Sequence, residues 1–192
     1  SSLHTWEAWQ EILSDDYSSI SVDLAGHGLT GSNAQKRYDT DFNASLMWKL
    51  MEKLGYDTLA IAGNSMGGQV AYKMALLKPE KVKILILINS SGARSVNDSA
   101  VSKNENTFSV FSLINHPLLS KLLTSITPKF LFEENLKQVY YDESKITKDK
   151  IQQYYDLMLQ KGNRQATMRR FQQWSPAKFE ELESLKCSSF VI

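Results

Sequence analysis

The segment Gly63-Asn64-Ser65-Met66-Gly67 constrains this chain more than any other. It lies between a short apolar run, Thr58-Leu59-Ala60-Ile61-Ala62, and a run from Gly68 to Leu77 that sets Val70, Met74 and Leu77 at helical spacing. The first run reads as a strand and the second as a helix. A serine on so sharp a strand-to-helix turn stands with its hydroxyl exposed above the sheet edge. Gly63 and Gly67 are expected where a Cβ would clash with neighbouring backbone. Ser65 is the candidate nucleophile. The oxyanion formed by its attack needs N–H donors, and the backbone N–H of Met66, at the start of the helix, is the candidate. Asn64 is a candidate substrate contact; its plainer reading is a turn residue filling a polar slot.

The elements around this turn alternate. Thr5 is the expected cap of a first helix carrying Trp6, Trp9, Ile12 and Leu13. Ser18 to Asp23 alternates, with Ile20 and Val22 on one face, and reads as a strand. Residues 24–38 hold Gly26, Gly28 and Gly31 and read as a loop. Asp39 or Thr40 starts a helix with Phe42, Leu46, Leu50 and Leu54 as its apolar stripe, closed by Gly55. Pro79 closes the helix after the turn, and Val82 to Ile88 is a nearly continuous apolar strand, as in a parallel sheet buried on both faces. This order predicts an α/β fold, a parallel sheet with flanking helices.

After Ser90 the texture changes. Residues 91–106 are polar, and residues 107 to about 175 read as short helices without a strand. Phe108, Phe111, Leu118 and Leu122 belong to one apolar group, and Thr147 is the expected cap of a helix carrying Ile151, Tyr154, Tyr155, Leu157 and Met158. This block interrupts the rhythm and reads as an inserted helical cap. The alternation resumes with a helix near Pro176 to Leu185 and a strand from Ser188 to Ile192. The expected organisation is a first part of the core over 1–91, a cap over 92–175 and a return to the core over 176–192.

Composition narrows the function classes. The 192 residues carry 22 basic and 21 acidic side chains for a net charge of +1, with no Lys/Arg stripe, so no nucleic-acid partner is implied. The single cysteine, Cys187, excludes an internal disulfide framework and a Cys-based metal site, and suits a reducing, cytoplasmic setting. The longest apolar stretch, Ile84 to Ile88, is too short to span a membrane. No metal site is visible, and no nucleotide cofactor is implied, because the turn lacks Gly-x-Gly-x-x-Gly spacing.

A second constellation, Asp23-Leu24-Ala25-Gly26-His27-Gly28, follows directly on the predicted strand. With Gly63 to Gly68 it resembles the α/β-hydrolase family, which often carries an Asp-x-Pro-Gly-x-Gly segment at this place; Ala25 replaces the usual proline. The resemblance runs from about Leu3 to Ser91 and loosely over 179–192, and covers the cap in position and helical texture only. It implies a serine hydrolase, lipase- or esterase-like and related to the meta-cleavage-product hydrolases. A serine at the elbow argues against haloalkane dehalogenases and epoxide hydrolases, which use aspartate there. The family order is serine, acid, histidine, with the base on a loop well after the elbow. His27 is therefore expected to be a loop histidine near the pocket rim, and His4 and His116 surface or packing residues. The triad acid and histidine are expected beyond Ile192, and the loop supplying the second oxyanion donor before Leu3. The chain thus reads as an internal piece of a hydrolase, truncated at both ends and crippled by itself.

Three functions stay open. The first is hydrolysis of a small-molecule carboxylic ester, or a related acyl substrate, through an acyl-enzyme on Ser65. Phe108, Phe111, Met158, Phe171 and Trp174 are candidate pocket residues, most of them with plain cap packing as the alternative. The second is carbon–carbon bond hydrolysis of a meta-cleavage product, which needs a cationic anchor for a carboxylate; Arg94, Arg164, Arg169 and Arg170 are the candidates. The third is a non-catalytic binding protein that kept the fold.

Overall fold

A computed structural model describes residues 2–90, 93–94, 128–173 and 177–192. The chain forms two compact units, Ser1–Arg37 with Asn106–Gln172, and Tyr38–Glu105 with Gln173–Ile192.

The second unit holds the sheet. Its strands β1 (Leu59–Asn64), β2 (Val82–Ile88) and β5 (Ser188–Val191) run parallel in the order β1-β2-β5. Asn64 stands opposite Ile88 and Leu87 opposite Val191. A two-residue pair, β3 (Ala93–Arg94) with β4 (Ala177–Lys178), lies apart from it. Helix α2 (Thr40–Lys53) begins where its sequence says, because the Asp39 side chain accepts the Phe42 N–H at 2.8 Å. Helix α3 (Met66–Leu77) follows β1 through Ser65 alone and packs on β1, β2 and α2.

The unit's core lies between these elements: Ala44, Met47, Trp48 and Met51 of α2, Val70, Ala71, Met74 and Ala75 of α3, and Val82, Leu85 and Leu87 of β2. Trp48 donates its indole N–H to the Met74 carbonyl at 2.9 Å, tying the two helices together inside this core. The buried face of α2 is not the expected stripe. Phe42, Leu46 and Leu50 are half-buried and Leu54 is exposed. Steps of four residues advance about 40° per step around a helix of 3.6 residues per turn, so such a stripe walks off the contact line. The set 44, 47, 48 and 51 alternates steps and stays on it.

The full two-faced burial expected of β2 is also not found. Val82, Leu85 and Leu87 are buried, but Lys83 and Ile84 are exposed. Two-faced burial needs helices on both sides of a strand, and α3 is the described helix packed on both β1 and β2.

In the first unit the chain opens with a 3-10 turn, Leu3–Trp6, that runs into α1 (Glu7–Leu13). The helical segment thus starts before Thr5, the expected cap. Ser18 to Asp23 is extended but is not a strand, since it has no ladder partner among the described residues. The later helices are α4 (Lys129–Val139), α5 (Lys148–Leu159) and α6 (Asn163–Gln173). Thr147 caps α5 as expected, accepting the Lys150 N–H at 3.2 Å, and Ile151 and Leu157 are buried. Helix α7 (Phe179–Glu183), in the second unit, is shorter than the segment read as helix.

Candidate active site

Ser65 sits at the junction of β1 and α3 with φ 52° and ψ −119°. That is left-handed territory, which a serine enters only when its surroundings hold it there. Two backbone bonds do so. The Ser65 N–H donates to the Ile88 carbonyl of β2 at 3.0 Å, and the Ser65 carbonyl accepts the Gly68 N–H at 3.0 Å. The residue is exposed, as the sequence led us to expect. Met66 is the first helical residue, so its N–H has no intrahelical acceptor and stands at the positive end of the α3 dipole. Asn64 is half-buried and closes β1.

The glycines divide their work differently from expectation. A Cβ at Gly63 would fall inside 3.0 Å of the Gly67 backbone, so that glycine lets strand and helix meet. A Cβ at Gly67 would meet nothing within 4 Å, because this position of the first helical turn faces open space. The second close approach is at Gly68, where a Cβ would fall inside 3.0 Å of the Ser90 side chain.

The Asp23–Gly28 constellation, in the first unit, is built around a buried carboxylate. Asp23 accepts the Leu3 N–H at 2.7 Å and the Leu29 N–H at 2.9 Å, and its carbonyl accepts the Thr30 hydroxyl at 2.6 Å. The carboxylate occupies the place a Cβ of Gly28 would take, and Gly28 has φ 45°. One carboxylate thus explains both the acidic residue and the final glycine of the motif.

His27, in the same loop, is part-buried. Nη1 of Arg170 in α6 meets its Nε2, and its Nδ1 lies 3.4 Å from the Ala25 carbonyl. Burial first, then the Arg170 charge, lower the imidazole from 6.5 to about 3. Burial lowers Arg170 to about 10, which still leaves it protonated at neutral pH. The Arg170 guanidinium also stacks 4.8 Å from the Phe171 ring.

The remaining candidates separate. Met158 is half-buried on α5, its sulfur 4.0 Å from the Thr167 hydroxyl. His4 is at the surface with Nδ1 2.7 Å from Glu7. Arg164 and Arg170 are half-buried and Arg169 is exposed. Phe108, Phe111, His116 and Trp174, and the side chain of Arg94, lie outside the described residues. Among the described residues no three His, Cys, Asp or Glu side chains group to hold a metal ion, and no helix is long and apolar enough to cross a membrane.

Three contributors have parts the sequence reading did not give them. Asp23 was a motif letter, Arg170 one of four candidate carboxylate anchors with no link to His27, and Asn163 unremarked. Asn163 is 2% exposed and donates from Nδ2 to the Gly28 carbonyl at 2.9 Å and the Leu157 carbonyl at 2.7 Å, pinning the glycine loop to the α5–α6 corner. An acidic residue ahead of a Gly-x-Gly is a local signal that would have found Asp23. Nothing local marks the other two.

Comparison with known proteins places this geometry. A family model described as alpha/beta hydrolase fold matches residues 1–111. Epoxide hydrolase 3 of Xenopus tropicalis is 26% identical over 171 residues, covering 82% of this chain and 46% of that protein. A 2-hydroxy-6-oxononadienedioate/2-hydroxy-6-oxononatrienedioate hydrolase of Pseudomonas putida is 29% identical over 144 residues, covering 73% and 45%. The chain therefore spans less than half the length of these relatives. Among solved structures, the epoxide hydrolase CorEH superposes with a TM-score of 0.84 at 17% identity, over all of this chain and 70% of that one. The meta-cleavage product hydrolase CumD of Pseudomonas fluorescens superposes with a TM-score of 0.74 at 22% identity, over all of this chain and 66% of that one. At such identities the structural likeness is one of fold.

Proposed function

The chain belongs to the α/β-hydrolase fold family, and on that premise we propose that it is the nucleophile-bearing part of a serine hydrolase acting on small carboxylic esters. The observation that supports this most is the backbone of Ser65, held at φ 52° at the head of α3 with the residue exposed. Strain of this kind persists where the surroundings over-determine it, and it aims a hydroxyl outward from a helix N-terminus. A serine there also sets the chain apart from the aspartate elbow of epoxide hydrolases.

In this reading Ser65 Oγ attacks the ester carbonyl as a general base takes its proton. The Met66 N–H stabilises the oxyanion. The base returns the proton to the departing alkoxide, leaving an acyl-enzyme that water then hydrolyses. The reading does not use His27 as the base. Its Nε2 is engaged by Arg170, and its affinity for a proton is far too low to draw one from a serine hydroxyl at neutral pH. Asn64 is assigned to contacts beside the nucleophile.

A second reading is favoured by one observation. No carboxylate of the described residues lies within ion-pairing distance of Arg170, although the guanidinium is half-buried. Such a cation would suit the carboxylate of a ring-cleavage product, and the Pseudomonas putida relative is named for hydrolysis of a dienedioate.

The experiment uses the natural protein that carries this chain. A serine-reactive fluorophosphonate should label it at Ser65 and fail on Ser65→Ala, and p-nitrophenyl esters graded by acyl length should be turned over in the same Ser65-dependent way. Turnover of a dienoate with none of the esters would favour the second reading. No labelling of a folded protein would point to a binding role instead.

A further inference from the structure

We propose that Ser90 is a positioning residue for the elbow: its side chain, seated against the bare Cα of Gly68, sets where the first turn of α3 lies under Ser65. As a statement about catalysis, this rests on the reading of Ser65 given above.

The corner that follows β2 touches the elbow twice. Ile88 accepts the Ser65 N–H at 3.0 Å. Two residues on, Ser90 lies so close to Gly68 that a Cβ there would fall inside 3.0 Å of both Ser90 Oγ and Ser90 Cβ. Gly68 is itself the donor to the Ser65 carbonyl, at 3.0 Å. Ser65 is thus bound directly by Ile88 through its N–H, and indirectly by Ser90 through Gly68 and its carbonyl. What turns the chain between the two is Asn89, with φ 42° and its N–H given to the Ile192 carbonyl at 2.8 Å. The corner therefore spends one of the three left-handed non-glycine residues among those described on bringing Ser90 back over α3. Ser65 is another of the three. The two strained residues thus lie in the two segments that meet through the Ser65–Ile88 hydrogen bond and the Gly68–Ser90 contact.

Gly68 lies inside α3 without a positive φ, so an alanine there is neutral or favourable for the helix itself. An alanine Cβ would fall inside 3.0 Å of Ser90 and 3.3 Å from the Gly63 carbonyl oxygen, so the harm from Gly68→Ala comes chiefly from pushing Ser90 and α3 apart. A displacement of about 1 Å at a reacting group costs up to about 100-fold in rate. We expect Gly68→Ala to lower the fluorophosphonate labelling rate at Ser65 about 100-fold, acting on kcat rather than KM for ester turnover. Ser90→Gly removes the backing and should lower labelling about tenfold. The double variant Gly68→Ala/Ser90→Gly trades the hydroxymethyl group on one side of the contact for a methyl group on the other and should recover labelling to within about threefold of the parent.

The same four proteins are compared by amide hydrogen exchange at Ser65 and Gly68, whose N–H groups form the two bonds of the elbow. Faster exchange in each single variant and recovery in the double variant is the expected pattern, at matched global stability. Rates and exchange unchanged in Gly68→Ala, or a double variant no better than Gly68→Ala alone, would overturn the assignment of Ser90. If the parent protein is not labelled at all, the nucleophile reading fails, while the exchange pattern still decides whether Ser90 positions the elbow.

Discussion

Arg170 and His27, 143 residues apart in sequence, share one hydrogen bond, and its direction follows from chemistry. A guanidinium only donates, so His27 Nε2 is the acceptor and the ring proton sits on Nδ1, facing the Ala25 carbonyl. The imidazole is held neutral in one tautomer, which makes it a structural acceptor.

This arrangement has a pH signature. The folded pKa of His27, about 3, lies below its ordinary 6.5. Between those values the unfolded chain binds more protons, so stability falls as pH drops from about 6.5 towards 3, and the contribution is constant above that window. His27→Asn, which offers a neutral acceptor that does not titrate, should flatten this part of the profile relative to the parent. Urea midpoints at pH 4.5 and 7.5 for both proteins measure the difference. Parallel profiles would show that His27 protonates freely in the folded state.

The strained serine makes an opposed prediction for stability and activity. Ser65→Gly relieves the positive φ and should stabilise the fold by about 1 kcal/mol while abolishing labelling. Ser65→Ala should abolish labelling without that gain. Chemical denaturation separates them, and equal midpoints would mean that position 65 stores no strain.

The Asp23 loop is expected to be sensitive at two of its residues. Asp23→Ala strips acceptors from the Leu3 and Leu29 N–H groups and should cost about 3 kcal/mol, with Asp23→Asn milder because one oxygen remains. A change under about 0.5 kcal/mol for the alanine variant would remove the carboxylate from its organising role.

Glycines 28 and 31 provide an internal control. Both have positive φ, 45° and 68°, but a Cβ at Gly31 meets open space and one at Gly28 meets the Asp23 carboxylate. Gly31→Ala should cost about 1 kcal/mol, the backbone term alone, and Gly28→Ala clearly more. Thermal unfolding of the two variants side by side tests the ordering.

Asn163→Leu keeps the volume of a buried side chain and leaves the Gly28 and Leu157 carbonyls without their donor. A loss of about 2 kcal/mol is expected, with faster proteolysis in the 24–32 loop than in the parent. A loss without any change in loop cleavage would mean that the bond to Leu157 carries the effect.

What could be read in advance was whatever short stretches of chain decide for themselves. The β1-Ser65-α3 unit is a strand, a turn and a helix in consecutive residues, and its glycines and apolar spacing announce it. The β2 run coincides with its strand from Val82 to Ile88. The caps Asp39 and Thr147 act on N–H groups three residues away, so their helices start where the sequence places them.

What tertiary structure decided was every feature whose cause lies far along the chain. Ser18 to Asp23 has the alternation of a strand, but a ladder needs a neighbour, and none pairs with it among the described residues. The buried face of α2 was settled by where α3 lies, so the Ala44–Met51 face won over the Phe42–Leu54 stripe. Gly68 owes its bareness to Ser90, and His27 its neutral state to burial first and then to the Arg170 charge. In the last three cases the deciding atoms belong to a partner brought close only by folding, and no local pattern names it. The sequence alone determined the family and the residue at the head of α3; the packed structure determined which of the surrounding residues hold that residue in place.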